Sequence, residues 1–281
     1  MDALGIIAGG GELPLAVAQS VQQSGREVFV LGLRGWADPA IERYSHDWVA
    51  LGETRKMLEL LHAHRCKDVL MCGRVARPRF SELKLDAKSV ALLPKVLAAA
   101  RRGDDALLKF VVELLETEGF HAIGVAEAAP GLLAREGVLG RIAPSADDMN
   151  DVATGVRVVR RLGELDVGQA AAVCTGLVLA VEAAEGTDAM IDRIADLPEA
   201  IRGTPSAPKG VLVKALKPRQ DGKTDLPVIG IETVNRVKAA GLAGIAIEAS
   251  GTLVINAPEV VRAADDAGLF LFGFSRSAYA D

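Results

Sequence analysis

The chain has 281 residues, half of them hydrophobic and only 4% aromatic, with a formal net charge of −5. Its length suits one large or two ordinary domains, and its apolar fraction is ample for a core. The acidic balance argues against a general affinity for nucleic acid, and no stretch approaches ~18 uninterrupted apolar residues, so no membrane span is expected.

The start of the chain has no basic segment and its first apolar run is broken by glycines, which argues against a signal peptide. Cys66, Cys72 and Cys174 form no CxxC pair or zinc pattern, as suits a reducing cytoplasm. The four histidines, His46, His62, His64 and His121, read as structural, so a metal site is expected to use oxygen ligands.

In chain order, residues 4–8 read as a buried strand, 13–23 as a helix closed by Gly25, and 27–33 as a second strand. A short strand over 48–51, a helix over 53–64 and a strand over 68–72 follow. Strands alternating with helices of this length imply right-handed crossovers and a parallel sheet. Further helices are expected over 84–100 and from Asp104 to Gly119, with a strand over 120–125. Residues 131–144, with glycines at 131, 137 and 140, read as a linker between domains spanning 1–130 and 145–281. Ser145-Ala-Asp-Asp148 matches a capping box, and Met149, Val152, Val156 and Val159 share one helical face behind it. Apolar runs over 170–173, 177–181, 211–213 and 244–247 mix with short helices in the second half. The fold class expected is α/β: a Rossmann-like parallel-sheet domain followed by a mixed α/β domain.

Gly9-Gly10-Gly11 follows the first strand and opens a helix, a turn that leaves room for a phosphate or simply favours glycine. A nicotinamide reading lacks the acid expected after the second strand, where Gly32-Leu-Arg34 stands; Arg34 keeps an NADP reading open. Cys72-Gly73-Arg74 ends the fourth strand on the same carboxyl edge, either as ligand contacts or as a strand-ending glycine with a solvated arginine. Asp104 opens an apolar helix, where an acid complements the helix dipole.

Glu182-Ala-Ala-Glu-Gly-Thr-Asp188 is sharper. Thr187 is a natural N-cap, while Gly186 and Thr187 offer N–H groups among the oxygens of Glu182, Glu185 and Asp188, a setting for a phosphate bridged by Mg²⁺. The polar segment from Lys214 to Pro227 lies between two β-like runs. Its plain reading is a hairpin turned by Asp221-Gly222. Its functional reading gives the cations to a polyphosphate, with Lys214 better fixed than Lys217 or Lys223, and gives Asp225 to Mg²⁺ or to an attacking water. The leucine face between Leu83 and Leu115 suits either an acyl groove or plain core.

Four segments carry a resemblance: Ile6-Ile-Ala-Gly-Gly-Gly-Glu-Leu-Pro14, Gly103-Asp-Asp-Ala-Leu-Leu108, Ala180-Val-Glu-Ala-Ala-Glu-Gly-Thr-Asp-Ala-Met-Ile191, and Leu212-Val-Lys214 with Gln220-Asp221 and Asp225-Leu-Pro227. Together they resemble the UDP-2,3-diacylglucosamine pyrophosphatases of lipid A biosynthesis, the two-domain type unrelated to the calcineurin-like phosphoesterases. The resemblance covers essentially the whole chain. It implies a Rossmann-like first domain, a second domain of unusual fold, and the ligand between them. It further implies Mg²⁺-dependent hydrolysis of UDP-2,3-diacylglucosamine to UMP and 2,3-diacylglucosamine 1-phosphate (lipid X), with water attacking the β-phosphorus.

The family's essential aspartate falls on Asp225, expected with Glu182 to hold the metal. Expected substrate contacts are Gly10, Gly11, Gly73, Arg74, Asp104, Gly186, Thr187, Asp188, Lys214 and Gln220. A cytoplasmic homodimer touching the inner membrane face is expected. The competing functions are an NADP-dependent oxidoreductase and a non-catalytic carrier of a lipid or nucleotide sugar.

Overall fold

A computed structural model describes residues 2–75, 85–217 and 226–279, without the side chains of Asp104 and Asp105. The chain divides into two compact units, Met1–Gly131 and Leu132–Asp281.

In the first unit, β1 (Leu4–Ala8), α1 (Leu13–Gln23), β2 (Val28–Leu33), β3 (Ser45–Val49), α2 (Thr54–Ala63) and β4 (Asp68–Cys72) alternate. They are followed by α3 (Ala87–Arg102), α4 (Asp104–Thr117), β5 (His121–Ala122) and α5 (Val125–Ala128). The strands form a sheet of order β3-β2-β1-β4-β5 with every described pairing parallel. β1 and β2 are buried along their whole length, which is why they read as unbroken apolar runs. Ile7, Phe29, Leu31, Leu61 and Val69 build one core cluster of this unit.

The largest differences from the expected boundaries are at the starts of β3 and α3 and the end of β5. β3 starts at Ser45, because this edge strand pairs from Phe29↔Ser45 despite its polar Ser45-His46-Asp47. α3 starts at Ala87, where the Asp86 carboxylate accepts the Ser89 N–H at 2.8 Å and caps the helix. The strand expected over 120–125 stops at Ala122, since only Asp68 and Val69 of β4 pair with it.

The second unit runs β6 (Gly137–Val138), α6 (Ala146–Glu164), β7 (Ala170–Cys174), β8 (Leu177–Val181), α7 (Gly186–Asp192) and β9 (Val211–Lys214). It continues with β10 (Val228–Ile229), α8 (Ile231–Ala239), β11 (Gly244–Glu248), β12 (Leu253–Val254), α9 (Ala257–Ala267) and β13 (Phe270–Phe274). One sheet has the order β6-β13-β11-β9-β7-β8, its centre of β9, β11 and β13 parallel and its flanks antiparallel. β10 and β12 pair with each other in parallel, apart from that sheet. The runs on either side of the Lys214–Pro227 segment therefore belong to different sheets and are not the arms of a hairpin.

The capping box forms as expected, with the Asp148 N–H on the Ser145 hydroxyl and the Ser145 N–H on the Asp148 carboxylate. From the same helix the buried Asp151 accepts the N–H groups of Thr175 and Gly176 at 2.8 and 2.7 Å, which fixes the β7–β8 turn. Among the described residues, no helix is long and apolar enough to cross a membrane.

Candidate functional site

In the first unit the strand order reverses between β1 and β4, and the turns leaving these two strands meet. Gly9 N–H donates to the Cys72 carbonyl at 2.8 Å, Gly10 N–H to the Arg74 carbonyl at 2.9 Å, and Arg74 N–H to the Gly10 carbonyl at 2.8 Å. Gly10, Gly11, Gly73 and Arg74 are thus brought to one place, the switch point where open α/β sheets bind ligands. The N–H groups of Gly9 and Gly10 are engaged within the protein, and the open approach is at Gly11, where an added Cβ meets nothing within 4 Å.

Gly73 makes this junction possible. Its φ is +95°, and a Cβ there would stand 2.7 Å from the Gly9 carbonyl carbon and 2.9 Å from the Gly10 oxygen. Gly73→Ala combines left-side backbone strain with a clash against main chain, so it is expected to lower stability by about 2–5 kcal/mol in urea denaturation. An unshifted urea midpoint would show that the two turns are not locked together.

Burial pushes the thiol of neighbouring Cys72 up to about 12 and that of Cys66 up to about 11, which disfavours the thiolate form. Arg34, on which the NADP reading rests, donates to the Trp48 carbonyl at 3.4 Å.

In the second unit the candidate residues gather at one edge of the larger sheet. Lys214 ends β9 opposite Ile247, Glu248 ends β11 opposite Phe274, and Ala170 begins β7 opposite Lys214. Glu182 N–H donates to the Ala170 carbonyl at 2.9 Å, which brings the residue after β8 to this edge as well.

The Glu182 carboxylate is buried and accepts the Gln169 N–H at 3.1 Å and the Thr187 hydroxyl at 2.8 Å. Thr187 is therefore not the cap of α7; Glu185 holds that position, and the threonine hydroxyl serves Glu182. Gly186 has φ +80° and its N–H donates to the Ala183 carbonyl at 3.2 Å, so it is not offered outward as expected. Asp188 faces Arg236 at 4.0 Å, Asp192 also pairs with Arg236, and Glu185 pairs with Arg193 at 3.0 Å. Within this acidic cluster Glu185 and Asp188 thus face two arginines, Arg193 and Arg236, both from outside the motif.

Lys214 is 4% exposed, and its ammonium donates to the Val228 carbonyl at 2.9 Å. Lys217 pairs with Asp166 at 2.8 Å. Gln220 and Asp225 lie outside the described residues, as does the side chain of Asp104, which opens α4 behind Gly103. Leu226, the residue after Asp225, is buried.

Sequence reasoning did not single out Glu248, a 3% exposed acid at the same edge. Burial raises its carboxyl above the usual range, against the pull of Arg276 and the Leu216 N–H. Its only signal was one acid closing the apolar run over 244–247.

Among the described residues, no three His, Cys, Asp or Glu side chains gather as a metal cluster. What Glu182 and Thr187 bring to this edge is oxygen, the donor a hard cation takes, and Mg²⁺ needs only one or two carboxylates when a substrate phosphate supplies the rest.

Known proteins match this chain along nearly its whole length. Residues 3–132 match the family model of the LpxI N-terminal domain, and residues 135–272 that of the LpxI C-terminal domain. The UDP-2,3-diacylglucosamine pyrophosphatase LpxI of Caulobacter vibrioides is 48% identical over 273 residues, 97% of this chain and 98% of that one.

Proposed function

The chain belongs to the LpxI family, and from that membership we propose that it hydrolyses the diphosphate of UDP-2,3-diacylglucosamine to UMP and 2,3-diacylglucosamine 1-phosphate. The observation that carries this reading is 48% identity running through both units to a relative bearing that activity in its name. Water attacks the β-phosphorus; its oxygen bonds there, the bond to the bridging oxygen breaks, and UMP leaves with that oxygen. Asp225 orients the water and takes its proton.

Asp225 and Glu182 are the residues to hold a Mg²⁺, which when bound neutralises charge on the diphosphate. Thr187 holds the Glu182 carboxylate in place for that task. The open approach at Gly11, beside Gly10, Gly73 and Arg74, suits a phosphorylated part of the substrate. The acyl chains of the substrate are the ground for expecting contact with a membrane surface.

Incubation of the purified protein with UDP-2,3-diacylglucosamine in ¹⁸O-labelled water tests this reading. UMP and the acylated sugar phosphate should appear in equal amounts, with the label in the sugar phosphate. Bound but uncleaved substrate would make the protein a carrier, and label in UMP would move the attack to the α-phosphorus.

A further inference from the structure

The parallel strands β9, β11 and β13 end together, and the carboxyl ends of such strands are where open α/β sheets take ligands. The turn that leaves β13 at this edge carries Arg276, and several contacts hold that turn in place. Arg160 of α6 donates one Nη to the Arg276 carbonyl at 2.6 Å and the other to the Tyr279 carbonyl. The Tyr279 ring meets the Phe274 ring edge-on, with 5.8 Å between centroids. Ala249 N–H donates to the Phe274 carbonyl at 2.9 Å, and Ala278 N–H to the Ser275 carbonyl at 3.1 Å.

The side chain of Arg276 has its own support, the buried carboxylate of Glu248. The pairing Glu248↔Phe274 sets this acid with Ala246 and Phe274 on the α6 face of the sheet, where Arg160 also acts on it. Glu248 accepts the Leu216 N–H, and one of its oxygens stands 3.7 Å from Nε of Arg276. One carboxylate thus faces two guanidiniums, which leaves positive charge in excess. Arg160 has given both Nη groups to carbonyls of the turn. Arg276 has not: its side chain is 56% exposed, and neither of its Nη groups has an acceptor among the described residues. An arginine held at Nε by a carboxylate still offers its outer N–H groups to a phosphate, in the planar fork that suits that anion.

We propose that Arg276 binds a phosphate of the substrate, and that Glu248 is the positioning residue that aims its guanidinium. This deepens the functional reading above and rests on it for the identity of the substrate.

The test measures the affinity of the full chain for inorganic pyrophosphate by calorimetry, and KM and kcat for UDP-2,3-diacylglucosamine. Arg276→Gln should weaken pyrophosphate binding and raise KM by about 10- to 100-fold, the loss of a charge-assisted hydrogen bond. Arg276→Lys, which keeps the charge without the fork, should fall between that variant and the wild type. Arg262→Gln removes an exposed arginine of α9 and should stay within about twofold of wild type. Glu248→Gln should lose about threefold by itself and nothing further on the Arg276→Gln background, since it acts through Arg276.

Wild-type pyrophosphate affinity in Arg276→Gln overturns the proposal, even with a lowered urea midpoint, because Arg276 would then serve the fold alone. An equal loss in Arg262→Gln also overturns it, by showing a response to net charge, and so does a wild-type protein that binds no pyrophosphate. Additive losses from Glu248→Gln and Arg276→Gln would overturn the positioning role of Glu248. If Arg276→Gln does not fold, Arg276→Lys, which keeps the pair with Glu248, carries the same readouts. Pyrophosphate binding that depends on Arg276, in a protein that leaves UDP-2,3-diacylglucosamine intact, would instead overturn the functional reading and leave the phosphate site standing.

Discussion

Replacement of Asp225 by alanine is expected to lower turnover by about 10³-fold or more while leaving fold and substrate affinity near those of the parent protein. A positioned acid or base contributes about 10²- to 10⁴-fold, and one that also serves a metal contributes from both roles. In the proposed role the carboxylate acts on the attacking water, an interaction made in the transition state more than in the ground state, so the loss is expected in kcat. Fold should survive because the next residue, Leu226, is already buried, and the Pro227 carbonyl is held by Leu253. Such a variant would hold uncleaved UDP-2,3-diacylglucosamine, which mass analysis of the repurified protein would reveal. The rival is Asp221, whose place before Gly222 suits a turn. Near-normal kcat in Asp225→Ala with a dead Asp221→Ala would move the chemistry to Asp221.

Removal of divalent cations is expected to be as damaging. After dialysis against a chelator, UMP release should fall to background and return when Mg²⁺ is added. The oxygen-only character of Glu182 and Thr187 favours a hard ion, and a Mg²⁺ completed by the substrate's own phosphates needs little more from the protein. Glu182→Gln should then raise the Mg²⁺ concentration for half-maximal rate by about 10-fold, since it removes a charge from the ion's surroundings. Activity that persists through chelation and exhaustive dialysis would take the metal out of the reaction, and an unchanged Mg²⁺ requirement in Glu182→Gln would clear that residue alone.

The first unit was the more legible in sequence. β1, α1 and β4 lie where the apolar runs and their glycine punctuation place them, because a parallel strand buried on both faces reads as an unbroken apolar run. β3 was half hidden, since an edge strand tolerates polar residues such as Ser45 and His46. β10 and β12 are two residues long, too short for any periodicity to register. β13, Phe-Leu-Phe-Gly-Phe, carried an ordinary strand signal that went unread. At the second unit's edge, residue types were legible but their partners were not. The Thr187 hydroxyl turns back only five residues to Glu182, a choice that a residue suited to capping hides, and nothing local tells that Lys214 reaches Val228, because that bond joins strands of two different sheets. Glu248 was missed because a single acid after an apolar run is indistinguishable from a strand end in water.

The separation of β9 and β10 into two sheets bears on how the segment between them is free to vary. A hairpin's register ties the length of its turn to the pairing of its arms, so an inserted residue misaligns every rung. Here β9 and β10 share no ladder, so the two strands have no common register to misalign. A change of length between Lys217 and Leu226 therefore shifts no rung between β9 and β10.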